Sequence, residues 1–169
     1  MKKTAFAGLA VAATLLSGCA TNIGTQSVND FGRFVELRKG ETTKADVYRS
    51  FGQPHEVYKI DEANESVWRY YNFKMKTNFS TYIPYVGLVT GGNDVNSTKV
   101  DFFFDEQNKL LKSERSEKAY YQNMWVGMAK AVDRTGQVDK VRAEMNVLGL
   151  PFDEKTAKQN AGNAHVGSD

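Results

Sequence analysis

Three kinds of side chain in this sequence could take part in chemistry: one thiol, two imidazoles and a few adjacent carboxylates. The thiol is Cys19, the sole cysteine of 169 residues, and it directly follows Leu15-Leu16-Ser17-Gly18. A thiolate is a nucleophile and can accept an alkyl group. The imidazoles are His55, beside Pro54, and His165, near the end. An imidazole is the side chain whose unperturbed titration falls closest to neutral pH, but an enzyme needs a nucleophile, a base or a metal within reach of one another. The pairs Asp61/Glu62 and Asp105/Glu106 fall in turn-like stretches, where solvated acids are the ordinary case. No Gly-x-Ser-x-Gly, no His-Glu-x-x-His and no phosphate-cradling glycine loop occurs. Gly91-Gly92-Asn93-Asp94 is a turn signal. The expectation is a protein that is not an enzyme, with no catalytic, cofactor-binding or metal-binding residue.

Cys19 makes sense through what precedes it. Lys2 and Lys3 are followed by an uncharged run from Ala5 to Leu16 and then small residues. That is the layout of a secretory signal peptide. The run is too short to cross a bilayer, which takes about 20 apolar residues. Leu16-Ser17-Gly18-Cys19 resembles the bacterial lipobox, in which the cysteine becomes the new N-terminus. The resemblance implies a diacylglycerol on the thiol and an acyl chain on the freed amine, with no other cofactor. Each buried methylene contributes about 0.8 kcal/mol, and stable anchoring takes more than one chain. Ala20 and Thr21 follow the cysteine, where an Asp would favour inner-membrane retention. The implied location is the outer membrane, lipid-anchored on the periplasmic side.

Charge narrows the partners. The chain has 22 Lys and Arg against 20 Asp and Glu, and loss of Lys2 and Lys3 evens the two. A near-neutral mature chain has no broad basic surface for nucleic acid. The 10 Phe, 8 Tyr and 2 Trp suit an aromatic core.

The elements that would position these residues can be read in order. Residues 1–18 form the signal peptide, and the polar, small residues 19–29 suit a lipidated flexible tether. Phe31, Phe34, Val35 and Leu37 share a face of a short helix. Thr43 and Asp46 form an acidic capping box for a second helix, whose Val47 and Phe51 lie on one face. Gly52 is expected to supply the left-handed residue that ends it, and Pro54 prevents its continuation. Strand-like stretches follow at 55–60, 66–79 and 100–105, where Val100, Phe102 and Phe104 alternate with Asp101, Phe103 and Asp105. Asn108 is placed for a positive φ in a hairpin turn, and 110–116 reads as the return strand. Between strands lies the apolar stretch from Ser80 to Gly92. It is either an insertion folded over a sheet edge or an exposed loop whose Tyr82, Tyr85 and Leu88 meet a partner or membrane. From Glu117 to Val132 the apolar residues recur at helical spacing, and Val138, Val141, Met145 and Leu148 mark a weaker helix. Its aromatic stripe is core packing or a docking face. Residues 117–150 thus read as a C-terminal helical extension, and 151–169 as a disordered tail.

Gly40, Thr43, Val47, Phe51, Gly52 and Pro54 resemble the signature of the SmpA/OmlA (BamE-type) family of small outer-membrane lipoproteins. In that family a Gly precedes a Thr-capped helix with an inward Val, and Gly-x-Pro leads into a strand. Gly40-Glu41-Thr42-Thr43 is one residue longer than the Gly-x-Thr of the barrel-assembly member. The resemblance spans Phe31 to Ser116 and implies an α+β domain over 30–116. Its two short N-terminal helices would be packed on an antiparallel three- to four-stranded meander (BLIP-like), followed by a C-terminal helix or helices. It implies a scaffold or interaction role in outer-membrane assembly or envelope integrity, with a protein partner such as the barrel-assembly machinery. The fold is also similar to that of β-lactamase inhibitor proteins, which implies the alternative of a periplasmic module that binds or inhibits a soluble protein.

Overall fold

The computed structural model describes residues 20–61, 64–77, 91–123 and 135–163. Strand β1 (Ala20–Gly24) leads through a 3-10 turn at Gln26–Asn29 into helix α1 (Phe31–Val35) and helix α2 (Lys44–Phe51). Strands β2 (Glu56–Ile60), β3 (Glu65–Thr77), β4 (Gly92–Phe104) and β5 (Leu110–Asn123) follow, then helices α3 (Thr135–Leu148) and α4 (Glu154–Asn163). The fold is α+β, with one antiparallel sheet of order β1-β3-β4-β5. β2 pairs with the first half of β3 and β1 with the second half, so both occupy the same edge in tandem.

At the join between β1 and β2 the backbone groups of β3 still need partners. Thr25 donates to the Tyr71 carbonyl at 2.9 Å, and His55 donates to that of Arg69 at 2.9 Å. The Tyr71 amide donates to His55 Nδ1 over a long 3.4 Å. Gly24 is required here: a Cβ on it would lie 2.3 Å from the Tyr71 carbonyl oxygen.

The described helices pack on one face of the sheet. There Trp68, Tyr70, Val100, Phe102, Phe104 and Leu110 form the core with Val47 and Phe51 of α2 and Val141 and Met145 of α3. The aromatic rings meet at inclined angles, Phe51 lying 5.0 Å from Phe102 and Trp68 5.3 Å from Phe104. Such pairs add about 0.5–1.5 kcal/mol each beyond the area they bury.

Helix α2 starts as its residues require. The Thr43 hydroxyl accepts the Asp46 amide at 3.3 Å, and Asp46 Oδ2 accepts the Thr43 amide at 2.9 Å. Thr42, the extra residue of the Gly40–Thr43 run, has its own task. Its hydroxyl accepts the Arg38 amide, and its carbonyl accepts the Leu110 amide, each at 2.8 Å. This ties the loop before α2 to the start of β5.

Four expectations from the sequence need correction. Residues 20–29 are no free tether, because Ala20–Gly24 pairs along β3 from Lys76 to Asn72. Gly52 ends α2 not in the left-handed helical region but at φ 80°, ψ −160°, a conformation that is essentially restricted to glycine. The segment expected as a helix from Glu117 is strand through Asn123, paired with Gly92–Thr98. Residues 124–134, the rest of that segment, lie outside the described part. The tail expected to be disordered forms α4 over Glu154–Asn163.

That last helix is held by contacts that composition does not reveal. Gln53 Nε2 donates to the Asp153 carbonyl at 3.3 Å, and the Asp153 amide donates back to Gln53 Oε1 at 2.8 Å. Tyr48 Oη donates to the Pro151 carbonyl at 2.7 Å, and Phe152 packs against the core. Asp153 then caps α4 through the Thr156 amide at 3.1 Å. Upstream, α3 closes with the Leu150 amide donating to Met145 and the Gly149 amide to Asn146, which is a Schellman end.

Candidate functional site

The structure distributes the residues singled out from sequence among several places. Val47 and Phe51 are buried in the core, and Pro54 is buried beside them in the chain. Gly40, at φ 77°, donates its amide to the Leu110 carbonyl at 2.8 Å. With Thr43 and Gly52 these residues frame α2. Asn108 takes a φ of 61°, and Asp105 accepts the Lys109 amide in the same turn at 2.8 Å. Asn64 donates to Glu106 at 2.5 Å. Cys19, His165, Tyr82, Tyr85 and Leu88 lie outside the described residues.

The polar residues that do converge lie on the sheet face away from the described helices. Strand register sets them in rows. Glu56 of β2 stands opposite Arg69 of β3, Arg69 opposite Asp101 of β4, and Asp101 opposite Glu114 of β5. Residues directly opposite one another point to the same face. Arg69 therefore lies between two acids, and its planar fork meets Asp101 with Nε–Oδ1 at 2.6 Å and Nη2–Oδ2 at 2.9 Å. Glu56 is 3.7 Å from Arg69 and Lys99 is 3.6 Å from Asp101. Tyr58 and Tyr71 both donate their hydroxyls to Glu56 Oε2.

Electrostatics follow from that geometry. The hydrogen bonds to Asp101 hold the Arg69 guanidinium firmly protonated, outweighing its partial burial. Burial, then the bond to Glu56, pushes the Tyr58 hydroxyl far above its usual range. Both acids are almost closed to solvent, Glu56 at 4% and Asp101 at 7% side-chain exposure, whereas Arg69 is at 26% and Lys99 at 41%. The row thus presents cations outward over acids beneath. Arg69 also lies over the Tyr58 ring at 4.9 Å, and Lys112 over the Phe103 ring at 4.2 Å. Cations thus stack on aromatic rings at two places on this face.

The acids of this row are engaged by Arg, Lys and Tyr, and no group of three or more His, Cys, Asp and Glu among the described residues could hold a metal ion. Sequence reading missed Glu56, Tyr58, Arg69 and Lys99 as a group, because their meeting depends on register between three strands. The one available signal was the alternation that placed Asp101 opposite in sense to Phe102.

No protein-family model matches the chain, and neither curated proteins nor solved structures give a significant match.

Proposed function

We propose that the protein is a non-enzymatic lipoprotein of the bacterial envelope, acylated at Cys19 and held at the periplasmic face of the outer membrane. The observation that carries the reading is Leu16-Ser17-Gly18-Cys19 after a charged start and a short apolar run, with the lone thiol at the cleavage point. The resemblance of Gly40 to Pro54 to the SmpA/OmlA (BamE-type) signature supports a role in outer-membrane assembly or envelope integrity. The same resemblance supports reading the helices on a meander as the BLIP-like arrangement. In this reading contact is the activity, and the Arg69, Tyr58 and Lys99 face supplies it to an envelope protein.

Two measurements test it. Cys19→Ala is expected to move the protein out of the outer-membrane fraction; persistence there would remove the lipid anchor from the account. A photo-crosslinking residue at Lys99 is expected to trap one envelope protein in solubilised membranes, while the same residue at Gln107 in the β4–β5 turn traps none. Equal, unspecific adducts at both positions would overturn the interaction role.

The face that carries the Arg69 row also favours a second reading, a periplasmic module that binds or inhibits a soluble protein. In that case the crosslinked partner is soluble, and Cys19→Ala leaves its capture intact.

A further inference from the structure

β5 closes one edge of the sheet, and among the described residues no strand lies on its outer side. At its first residue the loop before α2 covers that side. The Leu110 amide donates to the Thr42 carbonyl and the Leu110 carbonyl accepts the Gly40 amide, each at 2.8 Å. From Lys112 to Tyr120 the backbone groups directed away from β4 face no further strand among the described residues. An open edge of this kind is a template for pairing with another chain, and proteins usually block it with charge. Side chains from Lys112 to Ala119 are exposed, except Ser116, which is half-buried.

The charges on this edge are ordered so that they do not block a second copy of the same strand. Counted outward from Ser116, Arg115 is matched by Glu117 and Glu114 by Lys118, with opposite signs each time. If a second β5 lies antiparallel with Ser116 opposite Ser116, Arg115 stands opposite Glu117 of the second copy and Glu114 opposite its Lys118. Each of these pairs occurs twice, and directly opposed unlike charges on neighbouring strands are favourable. The match holds on both faces, because Glu114 lies opposite Asp101 on the Arg69 face and Arg115 opposite buried Val100 on the core face. Other centres are worse. Copies related by a twofold axis set one residue opposite itself, so a centre at Arg115, Glu114 or Glu117 opposes like charges. A centre at Arg115 also sets Lys112 against Lys118, and a centre at Ser113 is cut to residues 111–115 by the covered Leu110. With Ser116 at the axis, the pairing runs from Lys112 to Tyr120 and stops short of Leu110. The chain at the start of α1 sits against this strand, since Arg115 donates to the Val28 carbonyl at 2.8 Å and its guanidinium lies 5.5 Å over the Phe34 ring. Phe31 and Val35, one turn apart on α1, stay 73% and 70% exposed and leave apolar surface on that helix.

We propose that the protein forms a twofold-symmetric homodimer in which β5 pairs antiparallel with β5 of a second copy, centred on Ser116 and running from Lys112 to Tyr120. The two sheets join into one, and the described helices of both copies lie on the same face of it. Such an interface uses the same surface of each copy, which is why the strand must be complementary to itself. The inference goes beyond the lipoprotein reading and does not rest on it.

The test uses the full mature chain with Cys19→Ala, so that neither a lipid nor a native thiol takes part. Sedimentation equilibrium is expected to show a dimer. Glu114→Lys and Lys118→Glu each set like charges opposite one another in a dimer of that variant, and each is expected to raise the dissociation constant about tenfold or more. Mixed in equal amounts, the two variants are expected to form heterodimers as tightly as the parent chain, because each then meets the opposite charge. The combined variant Glu114→Lys/Lys118→Glu restores both pairs and is expected to dimerise like the parent, and it decides the matter if either single variant fails to fold by circular dichroism. Ser116→Cys is expected to give a disulfide-linked dimer on mild oxidation, and Gln107→Cys, in the β4–β5 turn, none. A parent chain that stays monomeric at millimolar concentration overturns the proposal. Folded single variants that dimerise as tightly as the parent, or a combined variant that does not dimerise, also overturn it. A dimer in which Ser116→Cys fails to link overturns the register and with it the proposal.

Discussion

Gly52 shows how one residue can carry a turn through its backbone alone. A Cβ added there would meet nothing within 4 Å, yet φ is 80° and ψ −160°. The carbonyl of Gly52 accepts the hydroxyl of buried Tyr70 at 2.8 Å, which holds the turn to the sheet. A Cβ at position 52 therefore costs conformational energy rather than a clash. Gly52→Ala and Gly52→Asn are both expected to lower stability by about 1–3 kcal/mol in urea unfolding. Full rescue by Asn would place the turn in the left-handed helical region instead. Asp46 is a second single-residue device. Hydrogen bonds from the Thr43 side chain and backbone hold its carboxyl below the usual 3.8, with help from Arg49. A depressed carboxylate stabilises above its unfolded value and loses that contribution as pH falls through the folded one. Asp46→Asn is accordingly expected to cost about 1 kcal/mol at pH 7 and almost nothing well below pH 4, measured as urea midpoints at the two pH values. Both devices were legible in the sequence, because a capping box and a Gly-x-Pro stop are local patterns. The region of φ/ψ that Gly52 occupies was not, since glycine is compatible with several.

Between elements, the decisive contacts join α2 to α3 across 100 residues of chain. Lys44 Nζ meets Glu144 Oε1 at 2.5 Å, and Trp68 Nε1 donates to the same oxygen at 3.2 Å. The two side chains are 6% and 12% exposed, and the ammonium sits over the Trp68 and Phe104 rings at 5.7 and 5.6 Å. Removing one charge of such a pair strands the other in a poorly solvated site. Lys44→Met or Glu144→Leu alone is expected to cost about 3–5 kcal/mol, and the double variant far less than the sum. Additive losses in the double-mutant cycle would mean that the pair is solvated and weak. The same region anchors the tail, so removal of residues 151–169 is expected to lower the melting temperature by roughly 5 °C or more. An unchanged melting temperature would show that Gln53–Asp153 and Tyr48–Pro151 contribute nothing. None of these long-range pairs can be read from a sequence, because Lys44 and Glu144 look like ordinary solvated charges on two helices. The strand at Glu117–Asn123 was misread for a related reason. Tyr120 and Tyr121 suit a helical stripe, but the outer edge of β4 from Gly92 onward needs hydrogen-bond partners, and β5 supplies them.

At the scale of the whole molecule, the described helices cover one face of the sheet and the Arg69 row lies on the other. By itself, the order of residues determined the local devices: the lone thiol after Leu16-Ser17-Gly18, the box at Thr43 and Asp46, the stop at Gly52, the alternation of Val100 to Phe104, and the aromatic core. Each depends on neighbours within a turn of helix or a few residues of strand. Tertiary structure alone decided that residues 20–24 join the sheet, that Glu56, Arg69 and Asp101 share a row, and that Lys44 and Glu144 meet. The physical reason is that strand register and helix docking are settled by backbone hydrogen bonds and burial between distant segments, and no local pattern encodes which segments those are.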